Sequence, residues 1–134
     1  MELKISSDAR WLRVVRAMMQ EISRQSGFSE RERSEITLAV DEALSNVIRH
    51  SYKGSPHGVV WLSCAADFGS LEIVLQDQGE AIDPKHLEPP PPDEIRIGGR
   101  GIFLMREIMD EVRFEREGDR NLVRLRKHAK AQVR

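Results

Sequence analysis

The sequence predicts an α+β fold. Three stretches place apolar residues at helical period, and five shorter ones alternate or run apolar at strand length. The longest helical stretch, residues 35–52 (EITLAVDEALSNVIRHSY), lines up Ile36, Ala39, Val40, Ala43, Leu44, Val47 and Ile48 on one face. Glycine-containing tripeptides at 67–69 and 118–120 separate strand-like stretches at hairpin spacing.

In chain order, residues 2–6 (ELKIS) alternate as a short edge strand. Ser7 and Asp8 are N-cap residues for a first helix with Trp11, Leu12, Val14, Val15, Met18, Met19 and Ile22 on its apolar stripe. That helix stops near Ser26 and Gly27. Its stripe reads first as core, and second as a partner or dimer surface, since Met and Trp suit adaptable contacts. Ser29 and Glu32 form a capping-box pattern that opens the second helix. Gly54, Ser55 and Pro56 end it. Residues 58–66 and 70–76 read as an antiparallel pair, followed by a polar loop at 77–84. The prolines between 84 and 97 make that segment a stiff surface loop. Residues 98–101 (GGRG) lead into a third helix with Ile102, Phe103, Leu104, Met105, Ile108 and Met109. Strands at 111–117 and 121–126 finish the chain, with 127–134 expected to fray.

A chain of 134 residues fits one domain. The formal net charge of −1 argues against a dedicated nucleic-acid binder. The basic stretch from Arg120 onward is short and reads as solvated. The single cysteine, Cys64, lies in an apolar strand and reads as a core residue. No apolar run reaches the ~20 residues of a membrane span, and the N-terminus lacks a signal-peptide core. A reducing cytoplasm is the expected compartment.

The chemistry sits on the polar side of the second helix. Glu42, Asn46 and His50 recur every fourth residue and line one side. A carboxylate one turn from a carboxamide is suited to activating a hydroxyl and holding a hard cation. His50 reads as a helix-end cation or a group near a bound anion, and Lys53 as a solvated lysine. Histidines 57, 86 and 128 supply no metal-ligand spacing. The glycines before the third helix suit phosphate, because backbone amides and the helix dipole converge there.

Three segments in this order resemble the N box, G1 box and G2 box of the GHKL ATPases. They are DEALSNVIRHSY (41–52), DQGEAID (77–83) and GGRGIFLMREIMDEV (98–112). Within that family the chain resembles the bacterial anti-sigma-factor serine kinases of the RsbW type, and the terminal hairpin EVRFEREGDRNLVRLRKH (111–128) shares the likeness. The resemblance covers nearly the whole chain. It implies a two-layer α/β sandwich of the GHKL (Bergerat) type: a mixed, mainly antiparallel sheet with helices packed on one face. ATP would lie between the helices and a lid at 84–97.

The resemblance also assigns roles. Asn46 would ligate Mg²⁺, and Glu42 would be the general base for an incoming serine hydroxyl. Asp77 would accept a hydrogen bond from the adenine amino group. Gly79 would let the backbone pass close to the purine, with Ile82 completing that box. Gly98, Gly99, Gly101 and the following Ile102 would cradle the phosphates, with Arg100 either touching phosphate or facing water. The implied function is an ATP-dependent serine/threonine-protein kinase and anti-sigma factor of a partner-switching module. Its partners would be a STAS-domain anti-sigma-factor antagonist and a sigma factor, and the chain would act as a homodimer. The alternative is a nucleotide-binding regulatory module without kinase activity; a simple ATPase is a third. The lid is shorter than in histidine kinases, and no phosphoacceptor histidine domain precedes the boxes.

Overall fold

The computed structural model describes residues 1–87 and 100–130. The elements are β1 (Glu2–Ser6), α1 (Trp11–Gln25), α2 (Glu30–Asn46), a π-helical turn (Val47–Ser51), β2 (Val59–Asp67), β3 (Ser70–Asp77), a 3-10 turn (Pro84–Leu87), α3 (Arg100–Ile108), β4 (Glu111–Glu117) and β5 (Arg120–His128). The sheet has five strands in the order β1-β2-β3-β5-β4. Among the described residues every pairing is antiparallel, where a mixed, mainly antiparallel sheet was expected.

Register decides which residues face the helices. Leu3, Leu62, Leu75, Val123 and Phe114 form one cross-strand row; Cys64, Ile73, Leu125 and Val112 form the next. These rows join Val15 and Met19 of α1, the apolar side of α2 and Met105 of α3 in one core. Successive strand residues point to opposite faces, so all of these lie on the inner face. The outer face carries Glu72, Arg124, Arg126, Glu111 and Glu115 in cross-strand ion pairs.

Several expectations held. Ser29 accepts from the Glu32 amide while Glu32 accepts from the Ser29 amide, completing the capping box. Gly27 adopts φ +83 beyond α1, where the Phe28 amide donates back to the Ser23 carbonyl. The α1 stripe faces inward: Val15 and Met19 are buried and Leu12, Met18 and Ile22 pack on the core. Core packing thus takes the face read as a partner surface; Val14 is the large apolar residue of α1 left exposed. Cys64 is buried, and burial pushes its thiol up to about 11, as suits an inert core residue.

Others needed correction. Ser7 does not cap α1, whose N-cap position is Arg10 without a side-chain bond; Asp8 does serve the start of the helix, its Oδ1 accepting from the Arg10 amide at 3.0 Å. Ser7 is instead buried, donating to the Ser55 carbonyl and accepting from the Gly58 amide. The residues expected to fray include Lys127 and His128, which extend β5. Lys127 is buried and its Nζ donates to the Ile108 carbonyl at 2.7 Å, a cation on the last turn of α3. The second helix also ends in a π turn, so His50 leaves the strict four-residue line of Glu42 and Asn46.

Candidate active site

Asp77 ends β3 on the inner face, in register with Val60 on β2 and Asn121 on β5. It is 1% exposed. Its Oδ1 accepts from the Gly79 amide and from Asn121 Nδ2, each at 2.9 Å. Among the described residues, Oδ2 accepts only a long bond from the Ser51 hydroxyl, at 3.3 Å. Burial raises the carboxyl above its ordinary value, against the lowering pull of Asn121, Gly79, Ser51 and Arg116. A buried carboxylate with one oxygen lightly engaged is suited to reading a donor on a ligand.

The π turn supplies the wall beside it. The wider turn ends with the Tyr52 amide donating to the Val47 carbonyl. Ser51 thereby presents its hydroxyl to Asp77 and its carbonyl to the Glu80 amide, at 2.8 Å. The Gln78 amide donates to the Tyr52 hydroxyl, which donates to the Val59 carbonyl. The loop after β3 is therefore stitched to the end of the helix. Gly79 has its own reason for being glycine: a Cβ there would lie 2.3 Å from the Ser51 carbonyl oxygen. The close neighbour in this structure is the helix end, where the sequence reading put a purine. Lys53, read as solvated, pairs with Glu80 at 3.1 Å on the surface.

The other end of the site is where α2 meets α3. Gly101, in the first turn of α3, lies against Glu42; a Cβ on it would come 2.4 Å from Glu42 Oε2. This brings the carboxylate to a helix N-terminus, whose free amides and partial positive charge favour anions. Asn46 sits one turn on, its Oδ1 accepting from Arg49 Nη2 at 3.2 Å. Ile102 and Ile82 are half-buried, and Ile102 packs against the core. Arg100 opens α3. Gly98, Gly99 and the lid beyond Leu87 lie outside the described residues.

Glu42, Asn46 and Ser51 thus run along one helix from the α3 N-terminus to the buried Asp77. The run from Glu42 to Ser51 spans about 14 Å at helical rise, the scale of an extended nucleotide. Four contributors escaped the sequence reading. Arg49 was detectable from its three-residue spacing to Asn46. Ser51, Asn121 and Arg116 gave no local signal, because the π turn and the strand register place them.

Residues 5–127 match the model of the histidine kinase-like ATPase domain. The chain belongs to this family. Within it, the chain is 31% identical over 122 residues to the serine-protein kinase RsbW of Bacillus licheniformis, spanning 85% of this chain and 76% of that one. It is 30% identical to the serine-protein kinase RsbW of Staphylococcus epidermidis, over 99% of this chain and 89% of that one. Among solved structures, the RsbU and RsbW domains of Rv1364c from Mycobacterium tuberculosis share its fold, with a TM-score of 0.68 at 17% identity. That likeness covers 100% of this chain and 34% of the solved one.

Proposed function

We infer that this protein is an ATP-dependent serine-protein kinase of the RsbW kind, acting in a partner-switching module as an anti-sigma factor. The observation that carries the reading is the Glu42–Gly101 approach: it joins the family's carboxylate to the turn that would receive the γ-phosphate, at the far end of a wall that begins at Asp77.

The residues fit ATP with Mg²⁺. Gly101 lets the Glu42 carboxylate come up to the start of α3, where a side chain would push it away, and Asn46 Oδ1 already takes a cationic partner in Arg49. Among the described residues no group of three or more His, Cys, Asp or Glu is placed to hold a metal. A cation here would therefore take most of its oxygens from phosphates and water, as Mg²⁺ does with one protein ligand. Bound Mg²⁺ would supply charge neutralisation at the transferring phosphoryl group. Asp77 reads the adenine amino group through Oδ2. Arg49, bonded to Asn46 Oδ1, places a cation beside the position where Mg²⁺ would be held. Glu42 would accept the proton of the attacking serine hydroxyl, and the N-terminal turn of α3 with the preceding glycines would hold the phosphoryl oxygens. Residues 84–97 would be the lid of this one ATP-binding domain.

The protein substrate is a STAS-domain antagonist, and the alternative client is a sigma factor; a homodimer is the working assembly. The test is transfer of labelled phosphate from ATP to a serine of a co-encoded STAS protein with Mg²⁺ present. Glu42→Ala should lower transfer about 10²- to 10⁴-fold while sparing nucleotide affinity. Retained ATP binding without any transfer in the parent protein would leave a non-catalytic binding module instead.

A further inference from the structure

Asp77 cannot aim itself. A buried aspartate has two equivalent oxygens and a side chain free to turn about its last torsion. Beside the local Gly79 amide and the long Ser51 bond, the side chain that holds it is Asn121, which is 2% exposed and lies directly across the β3–β5 ladder. Asn121 Nδ2 donates to Asp77 Oδ1 at 2.9 Å and to the Glu80 carbonyl at 2.8 Å. Both amide hydrogens are therefore engaged. Its Oδ1 accepts from Arg116 Nη1 at 2.8 Å, and the same nitrogen reaches the Gly79 carbonyl at 3.3 Å. Arg116 thereby settles which end of the amide faces Asp77, since the guanidinium can only donate. The chain of bonds crosses three strands on the inner face, from exposed Arg116 on β4 to buried Asp77 on β3.

We propose that Asn121 is the positioning residue of the base-reading site, with Arg116 behind it. Asn121 saturates Oδ1 of Asp77 and ties down the Gly79–Glu80 backbone, so that Oδ2 alone faces the ligand and selects a purine bearing an exocyclic amino group. This rests on the reading of Asp77 as the adenine contact. A leucine at 121 fills similar space but donates nothing, leaving Asp77 Oδ1 with the Gly79 amide alone and the carboxylate more loosely aimed.

The experiment measures Kd for ATP and for purine riboside triphosphate, which lacks the amino group, with parent, Asn121→Leu and Arg116→Leu proteins. Circular dichroism checks that each is folded. The parent should prefer ATP. Asn121→Leu should lose about tenfold of that preference through weaker ATP binding, leaving the analogue's Kd nearly unchanged. Arg116→Leu, at an exposed position, should lose about threefold and carries the test alone if Asn121→Leu does not fold. A general loosening of the fold would weaken both ligands together, which overturns the proposal. So does a parent-like preference in either folded variant. A parent that binds both nucleotides equally instead removes the Asp77 reading on which the proposal rests.

Discussion

Asp77 and Glu72 stand on the same strand and carry the same charge, but they face opposite sides of the sheet. Asp77 is buried among hydrogen-bond donors, and its carboxyl is pushed upward by the loss of water. Glu72 is partly exposed and takes Arg126 at 2.6 Å and Arg124 at 3.8 Å. The outer pair sits in water, where such contacts are worth about 0–1 kcal/mol. The inner carboxylate costs stability, because ionisation inside the protein is only partly offset by its donors. A charge that weakens the fold and is nevertheless fully built around is a sign of chemistry, whereas a charge in a cross-strand ladder is a sign of a solvated face.

Substitutions on the two faces can break or sharpen this contrast. The largest effect belongs to the apolar inner row. Leu75→Ala removes a fully buried side chain between Leu62 and Val123 and should cost about 2–5 kcal/mol in urea unfolding. Asp77→Asn comes next, and it should separate function from stability. ATP affinity should fall about tenfold or more by calorimetry, while unfolding free energy at neutral pH stays level or rises.

The sign of the pH effect follows from the direction of the shift. With its folded pKa raised, Asp77 penalises the fold above that pKa, and the penalty fades as pH drops toward the ordinary carboxylate value. The stability gap between Asp77→Asn and parent should therefore be widest at neutral pH and close on acidification. ATP affinity of the parent should decline as pH falls through the raised pKa, before an ordinary aspartate would protonate. The smallest effect is outside: Glu72→Gln should shift stability by under about 1 kcal/mol, and added salt should shrink even that. If Glu72→Gln destabilises more than Asp77→Asn, the contrast between the faces is wrong.

Much of this molecule was legible because its signals are local. Capping at Ser29, the Gly27 stop, the hairpin turns and the apolar periods each need only a few neighbouring residues, and together they specify three helices and five strands. Glu42, Asn46, Asp77 and Gly101 were visible as spaced boxes. What escaped depends on contacts distant in sequence. Asn121 and Asp77 are 44 residues apart and meet only through the β3–β5 register. Lys127 looked like tail because it is charged and near the C-terminus, yet a carbonyl 19 residues earlier holds it. Ser7 looked like a cap because serine before a helix usually is one; a bond to Ser55, 48 residues on, took it instead. The π turn was hidden because a 3.6-residue period reads smoothly through a single wider turn.

That turn has a consequence for how the second helix tolerates change in length. A π turn is one residue more than the α-helical path requires, so the helix carries two phases, one for Glu42 and Asn46 and one for Ser51. Removing a single residue between 47 and 51 would let the segment relax into ordinary α-helix, with its apolar face largely intact. Ser51 would then keep its place beside Asp77, because five residues at π pitch sweep about the same arc as four at α pitch, while Glu42 stayed beside Gly101. A second residue removed, with no π turn left to absorb it, would turn Ser51 by about 100° and leave the two ends of the wall out of step.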